Sequence, residues 1–245
     1  MKTILTSLLL LFLLNCPARA AFLFDGSDYI SVVDNTNLTL PDADWTICQR
    51  IKFTSRTGTT VRDIFHWETG TPFARIRIGD ASAGFAINEA QVDFHDNDGT
   101  QILFTTSGTF WASNTSWADL CVIRSGGAAG TITLYANGVS KGSASNGSFD
   151  AVDVGAAFII GNNGPSIGNT ATFLGSMTDF GKWDRALSAG ELTARSKGFA
   201  ANCFPNSLKF NPPMIRTYIE VRNGIVITNS GTTISDQPAL IYCGE

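Results

Sequence analysis

The sequence predicts an all-β fold, a sandwich or barrel of antiparallel strands with one short helix near residues 188–198. Three observations carry this. Short β-branched and aromatic runs alternate with turn residues along the chain; Asn97-Asp98-Gly99 and Asn137-Gly138 are tight-turn signals; and one strong helix start stands at Ser188. Regular short strands broken by residues that tolerate positive φ close most readily into two sheets or a barrel.

The strands follow in order. Trp45–Phe53 alternates cleanly, with Trp45, Ile47, Ile51 and Phe53 on one face and Thr46, Cys48, Arg50 and Lys52 on the other, the pattern of a half-buried strand. Phe73–Ile78 repeats it with Arg75 and Arg77 outward. Further strands are expected at Tyr29–Val33, Ile64–Trp67, Gln91–Phe94, Ile102–Phe104, Leu120–Arg124, Thr131–Tyr135, Phe158–Ile160 and Phe173–Trp183. Ser188-Ala-Gly-Glu191 is a capping box, flanked by Leu187 and Leu192 as a hydrophobic staple, and Gly198 is placed to end the helix. Beyond residue 200, Pro205, Pro212 and Pro213 break the pattern before a last strand pair at Tyr218–Val221 and Ile225–Thr228. Residues 201–245 are expected to form an extension packed on a sandwich of residues 21–200.

Residues 1–20 read as a signal peptide. Lys2 precedes an apolar run from Ile4 to Leu14, and Ala18-Arg19-Ala20 supplies a small-x-small cleavage pattern. The run is too short to span a bilayer, and no later segment is long enough, so a secreted protein without a membrane span is expected. Without those residues Cys48, Cys121, Cys203 and Cys243 remain, an even number that in an exported chain argues for two disulfides. Residue types alone leave three pairings open. The charge is −4 over the full chain with no basic tract, which speaks against nucleic acid as a partner.

Phe24-Asp-Gly-Ser-Asp-Tyr-Ile30, Trp45-Thr-Ile, Thr131-Ile-Thr-Leu-Tyr-Ala-Asn-Gly138, Phe158-Ile-Ile-Gly161, Gly175–Trp183 and Arg185–Leu192 follow one another along the chain. In this order they resemble the opening strand, the second strand, a characteristic hairpin, and the closing strands and helix of laminin-G-like and pentraxin-like domains of the concanavalin A-like lectin/glucanase superfamily. The resemblance covers roughly residues 22 to 200. It implies a two-sheet antiparallel jelly roll and a disulfide from Cys48 to Cys121, leaving Cys203 for Cys243. Jelly rolls of this kind often hold one structural calcium where the first strand meets a late one, and Asp25 and Asp179 stand at those places. The pentraxin double-calcium loop is not matched: Asn163 and Pro165 replace a glutamate and an aspartate, and proline offers no side-chain ligand.

Other candidates come from the residues themselves. Trp45, Trp117 and Trp183 fall at inward strand positions. Trp67 and Trp111 lie near loops, where a flat apolar face can stack on a sugar, and Asn162 and Asn163, in the loop after Phe158–Gly161, are further candidate ligand contacts. Asp93-Phe-His-Asp-Asn-Asp-Gly99 lacks the alternating order of a calcium loop and is expected to be a hairpin turn. Asn37, Asn114 and Asn146 head glycosylation sequons. The paired carboxylates of glycosidases with this fold, about 5.5 Å apart on one strand, have no counterpart, since Glu68, Glu89, Glu191 and Glu220 are scattered. A secreted, non-catalytic module that binds a glycan or surface glycoprotein is therefore expected. A structural or adhesive component of a cell surface or virus-like particle is the alternative.

Overall fold

A computed structural model describes residues 21–54, 62–67, 72–79, 89–106, 116–153, 155–162, 173–212, 227–235 and 240–243. The expected signal peptide, the strand at Tyr218–Val221, Trp111, Asn114, Asn163 and Pro165 lie outside the described residues.

Two antiparallel sheets pack face to face. The strands, in chain order, are β1 (Ala21–Asp25), β2 (Tyr29–Val32), β3 (Trp45–Phe53), β4 (Arg62–Trp67), β5 (Phe73–Ile78), β6 (Ala90–His95), β7 (Gln101–Thr105) and β8 (Ala118–Ser125). They continue with β9 (Thr131–Ala136), β10 (Val139–Ser145), β11 (Phe158–Ile160), β12 (Leu174–Trp183), β13 (Leu208–Phe210), β14 (Ile227–Ser230) and β15 (Thr233–Ser235). One sheet runs β10-β9-β8-β3-β12-β1-β15, with β13 also on β12; the other runs β14-β2-β11-β4-β5-β6-β7. This is the jelly-roll sandwich that the resemblance implies. Between the sheets lie the inward residues of both, among them Trp45, Ile47, Phe65, Phe94, Phe158 and Met177. Trp45 stacks on Phe94 at 5.6 Å.

The Asn137-Gly138 turn joins β9 to β10 with positive φ at both residues (51° and 76°), the geometry a two-residue hairpin needs. The Asp93–Gly99 run is the β6–β7 hairpin. Asp96, fully buried, accepts the N–H groups of Asp98, Thr100 and Asp150 and so ties that turn to the loop after β10.

Helix α1 (Ala189–Ser196) starts in the expected capping box. Ser188 Oγ accepts the Glu191 N–H (3.3 Å), and Glu191 accepts the Ser188 N–H (2.8 Å). The helix lies on the outer face of the first sheet, where Cys48, Cys121, Ile123, Trp183, Leu187, Leu192, Ala201 and Leu208 form a second apolar cluster. Two sequence-based expectations change here. The second face of β3, expected to be solvated, is buried through Arg50, because α1 and the segment after it cover it. Trp183, expected in the sandwich core, belongs to this outer cluster. The pairing of β12 with β3 skips between Thr178 and Gly181, and a bulge reverses the facing of every later residue, so Phe180 turns inward and Trp183 outward. Gly181 makes room for the indole: a Cβ there would stand 2.3 Å from the Trp183 ring.

Cys48–Cys121 and Cys203–Cys243 are both bonded. The segment after residue 200 is hydrogen-bonded into the sandwich. β13 joins β12, β14 ends one sheet beside β2, and β15 ends the other beside β1. Short strands from one segment thus occupy an edge of each sheet, positions that would otherwise present unpaired backbone groups. Among the described residues no helix is long and apolar enough to cross a membrane.

Candidate functional site

Alternation along three neighbouring strands builds a polar face on the outside of the second sheet. Register places Phe73, His95 and Gln101 abreast on β5, β6 and β7; then Arg75, Asp93 and Leu103; then Arg77, Gln91 and Thr105. Side chains two apart on a strand share a face, so these nine form a patch about 13 Å along the strands and roughly 10 Å across. The β7 column is exposed, the β5 column half-buried, and Asp93 at the centre is buried.

Asp93 organises the patch. Its Oδ2 accepts Arg75 Nη2 (2.6 Å) and Nε (3.0 Å), and its Oδ1 accepts Gln101 Nε2 (2.8 Å), with His95 Nε2 at 3.4 Å. Arg77 Nη2 stands 3.6 Å from the same Oδ2. At the other end His95 lies flat on Phe73, ring centroids 4.1 Å apart and planes 27° from parallel, while the Arg75 guanidinium sits 4.9 Å from the Phe73 ring centre. On β4, beside Arg75 and Arg77, are His66 and Asp63. Both are buried, with His66 Nδ1 3.2 Å from Asp63 Oδ2. Burial pushes the Asp63 carboxyl up from its ordinary value, opposed by the hydrogen bond to His66. An aromatic stack, a central carboxylate and a row of hydrogen-bonding groups suit a polar ligand with one flat apolar side.

The expected ligand residues fare differently. Trp67 is 4% exposed and packs in the core, 4.5 Å from Phe158 and edge-on to Phe65, so it offers no stacking surface. Its strand carries a bulge between Asp63 and Phe65, beyond which Phe65 and Trp67 both face inward. Asn162 is fully buried. Trp111 and Asn163 lie outside the described residues.

The structure does not bring Asp25 and Asp179 together. Asp25 pairs with Leu174, five residues from Asp179 along β12, roughly 15 Å of strand. Asp25 is exposed and accepts the Ser27 N–H and Oγ–H in the turn after β1. Asp179 sits at the β12 bulge with φ 54° and lies 3.2 Å from Arg195 Nη1. It also accepts the Ala201 N–H (2.9 Å). Burial pushes its carboxyl up to about 6 against the pull of Arg195. Cys48, Asp119 and Cys121 also cluster closely, but the disulfide removes both thiolates a metal would need.

Arg75 and Arg77 were legible as outward-facing from the alternation in Phe73–Ile78. What sequence reasoning missed was their convergence on Asp93, a strand away. The alternation of Gln91, Asp93 and His95 is the signal that points to it.

Two stacked antiparallel sheets with a helix on one outer face and an open polar face on the other define a lectin-like β-sandwich. The chain belongs to the concanavalin A-like lectin/glucanases superfamily, whose laminin-G-like family model matches residues 24–193. No curated protein matches the sequence. Among solved structures, a candidate carbohydrate-binding protein of Bacteroides ovatus superposes with a TM-score of 0.70 at 17% identity, over 91% of this chain and 62% of that one. A heptameric SAP-like pentraxin from Limulus polyphemus gives 0.57 at 19% identity, over 89% and 95%. The ligand-binding domain of botulinum neurotoxin serotype D, in complex with N-acetylneuraminic acid, gives 0.54 at 14% identity, over 72% and 41%. These likenesses establish the fold.

Proposed function

We propose that this chain is a secreted, non-catalytic binding module that recognises saccharide, free or on a glycoprotein, through the outer face of β5, β6 and β7. The observation that carries the reading is that face. It offers the Phe73–His95 stack as a flat apolar surface and, within one patch, Arg75, Arg77, Gln91, Gln101 and Thr105 as hydrogen-bonding groups. Membership of a lectin-containing superfamily and the likeness to a candidate carbohydrate-binding protein support it. Export is supported by residues 1–20 and by two disulfides, which persist in oxidising compartments.

A glycan array on the oxidised chain, with calcium and again with EDTA, tests the reading. Binding that survives EDTA is expected, since the face needs no metal, and Phe73→Ala should weaken it about tenfold. Trp111→Ala belongs in the same experiment: a loss confined to that variant would move the site to Trp111. Binding abolished by EDTA would put a metal-dependent site elsewhere. No saccharide bound, together with regular oligomers in light scattering, would sink the proposal in favour of a structural or adhesive role.

A further inference from the structure

We infer that the Cys203–Cys243 disulfide is a releasable clasp, and that the edges of β1 and β2, once uncovered, accept the same tail from a second copy of this chain.

The two disulfides differ in kind. Cys48 and Cys121 are 0% and 2% exposed, in the apolar cluster beneath α1. Cys203 and Cys243 are only half-buried, and Cys203 Sγ lies in an exposed contact with the Ile241 carbonyl. Exchange requires a thiolate to reach a sulfur, so a dithiol should open the second bond and leave the first. One thiolate of the dithiol attacks a sulfur, and the other cysteine leaves as a thiolate and takes up a proton. The second thiol of the dithiol then closes its own disulfide and frees the attacked cysteine. Two electrons and two protons pass to Cys203 and Cys243, and the dithiol becomes a cyclic disulfide.

The clasp holds a lightly seated segment. Ala200 N–H donates to the Ile241 carbonyl (2.9 Å), Ile241 N–H to the Gly198 carbonyl (2.8 Å), and Asn202 Nδ2 to the Cys243 carbonyl (2.8 Å). The Ile241 side chain itself is exposed. Before it, four residues of β14 pair with β2 and three of β15 pair with β1. Among the described side chains of these two strands and their turn, only Thr232 is buried, and Ile227 packs half-buried against the core. Backbone hydrogen bonds hold the strands, each a modest net gain because water competes for the same groups, and the clasp supplies the rest.

The occupant follows from what already sits there. β1 and β2 take antiparallel strands of this chain's own sequence in fixed register, Phe22 opposite Ile234 and Ser31 opposite Thr228. The turn between the strands fits closely: a Cβ on Gly231 would stand 2.0 Å from Asp28 Oδ1. The tail of a second copy has every one of these features, and reciprocal exchange restores all the contacts in a closed dimer. Residues 211–226 tether each tail to its own sandwich, and a tether of that length sets an effective concentration on the order of 1 mM, so exchange competes when the protein approaches it.

The test mixes unlabelled and heavy-isotope-labelled oxidised chains at about 10 μM and at about 1 mM, treats them with dithiothreitol and then reoxidises them. Alkylation and peptide mass mapping should find Cys203 and Cys243 reduced while Cys48–Cys121 stays intact, with amide hydrogen exchange rising first in β14, β15 and residues 240–243. After reoxidation at the higher concentration, a dimer should carry Cys203 of one isotopic form bonded to Cys243 of the other. At the lower concentration the monomer should return. Gly231→Ala, whose turn cannot seat against Asp28, should keep the folded sandwich by circular dichroism yet lose the mixed bond. Replacing Cys203 and Cys243 together by serine should give the dimer at about 1 mM by light scattering without any reductant. Reduction of both disulfides together would overturn the clasp, as would reduction of Cys203–Cys243 with no change in β14 and β15. A reduced chain that stays monomeric at the higher concentration would overturn the second-copy acceptor. So would association that persists in Gly231→Ala, since bare edges would then be pairing without the seat.

Discussion

The outer faces of the two sheets carry similar side chains and have opposite fates. On the first sheet, α1 and the segment behind it bury Arg50, Arg195, Asp119 and Asp179. Two cations meet two carboxylates there. Arg195 donates to both oxygens of Asp119 (2.8 and 3.2 Å) and lies 3.2 Å from Asp179, and Arg50 Nη1 donates to the Arg195 carbonyl (3.0 Å) near the end of the helix. On the second sheet, Arg75 and Arg77 stand between Asp93 on one side and Asp63 on the other, only Arg75 is hydrogen-bonded to Asp93, and the neighbouring β7 column is exposed to water. The difference teaches where function can reside. A charge cluster sealed from water has to satisfy itself, because an unpaired buried charge costs several kcal/mol. A half-open cluster can leave capacity for a ligand, because water serves it meanwhile.

The largest expected effect breaks the comparison at its buried end. Asp119→Ala removes both hydrogen bonds that Arg195 makes to the Asp119 carboxylate, leaves it only the Asp179 carboxylate to pair with, and should cost about 3–5 kcal/mol in denaturant unfolding. Arg75→Ala, which removes the corresponding partner on the other face, should cost only about 1–2 kcal/mol, since Gln101, His95 and Arg77 still attend Asp93 and solvent reaches the site. Equal costs would mean the second face is as closed as the first.

Next comes the tail, which closes both sheets at once. Replacing Cys203 and Cys243 together by serine opens a loop of sequence separation 40 and should cost up to about 4 kcal/mol. Amide hydrogen exchange should then rise first in β14 and β15, with β3 and β8 still protected by Cys48–Cys121. Uniform loss of protection would show that the tail and the sandwich fold as one unit.

The smallest effect concerns the cap of α1. Arg185 grips Glu191 at 2.6 and 2.9 Å and, with the Ser188 N–H, holds its carboxyl down at about 2 instead of the ordinary 4.5. A depressed folded-state pKa stabilises the protein above the ordinary value and loses that contribution as pH falls from 4.5 towards 2. The urea midpoint should fall across this window, and part of that slope should vanish in Glu191→Gln. Ser188→Ala should cost about 1 kcal/mol at neutral pH. An unchanged slope in Glu191→Gln would assign the acid sensitivity to other carboxylates.

The sequence by itself determined what depends on local pattern. Alternation located most of the strands, Asn-Gly and Asn-Asp-Gly the hairpins, and Ser188 with Glu191 the helix over Ala189–Ser196, because each signal acts within a few residues. The order of these pieces carried the superfamily and the Cys48–Cys121 bridge. Only the tertiary structure decided which faces meet water. A bulge at residues 178–181 turned Trp183 outward, the bulge in β4 put Trp67 in the core, and the register of β1 on β12 kept Asp25 away from Asp179. It likewise decided that Arg75 and Arg77 share Asp93. The physical reason is common to all four. A strand's pattern says which side chains share a face, but the count of residues between distant partners, and the layer laid over them, fixes what each face finds opposite.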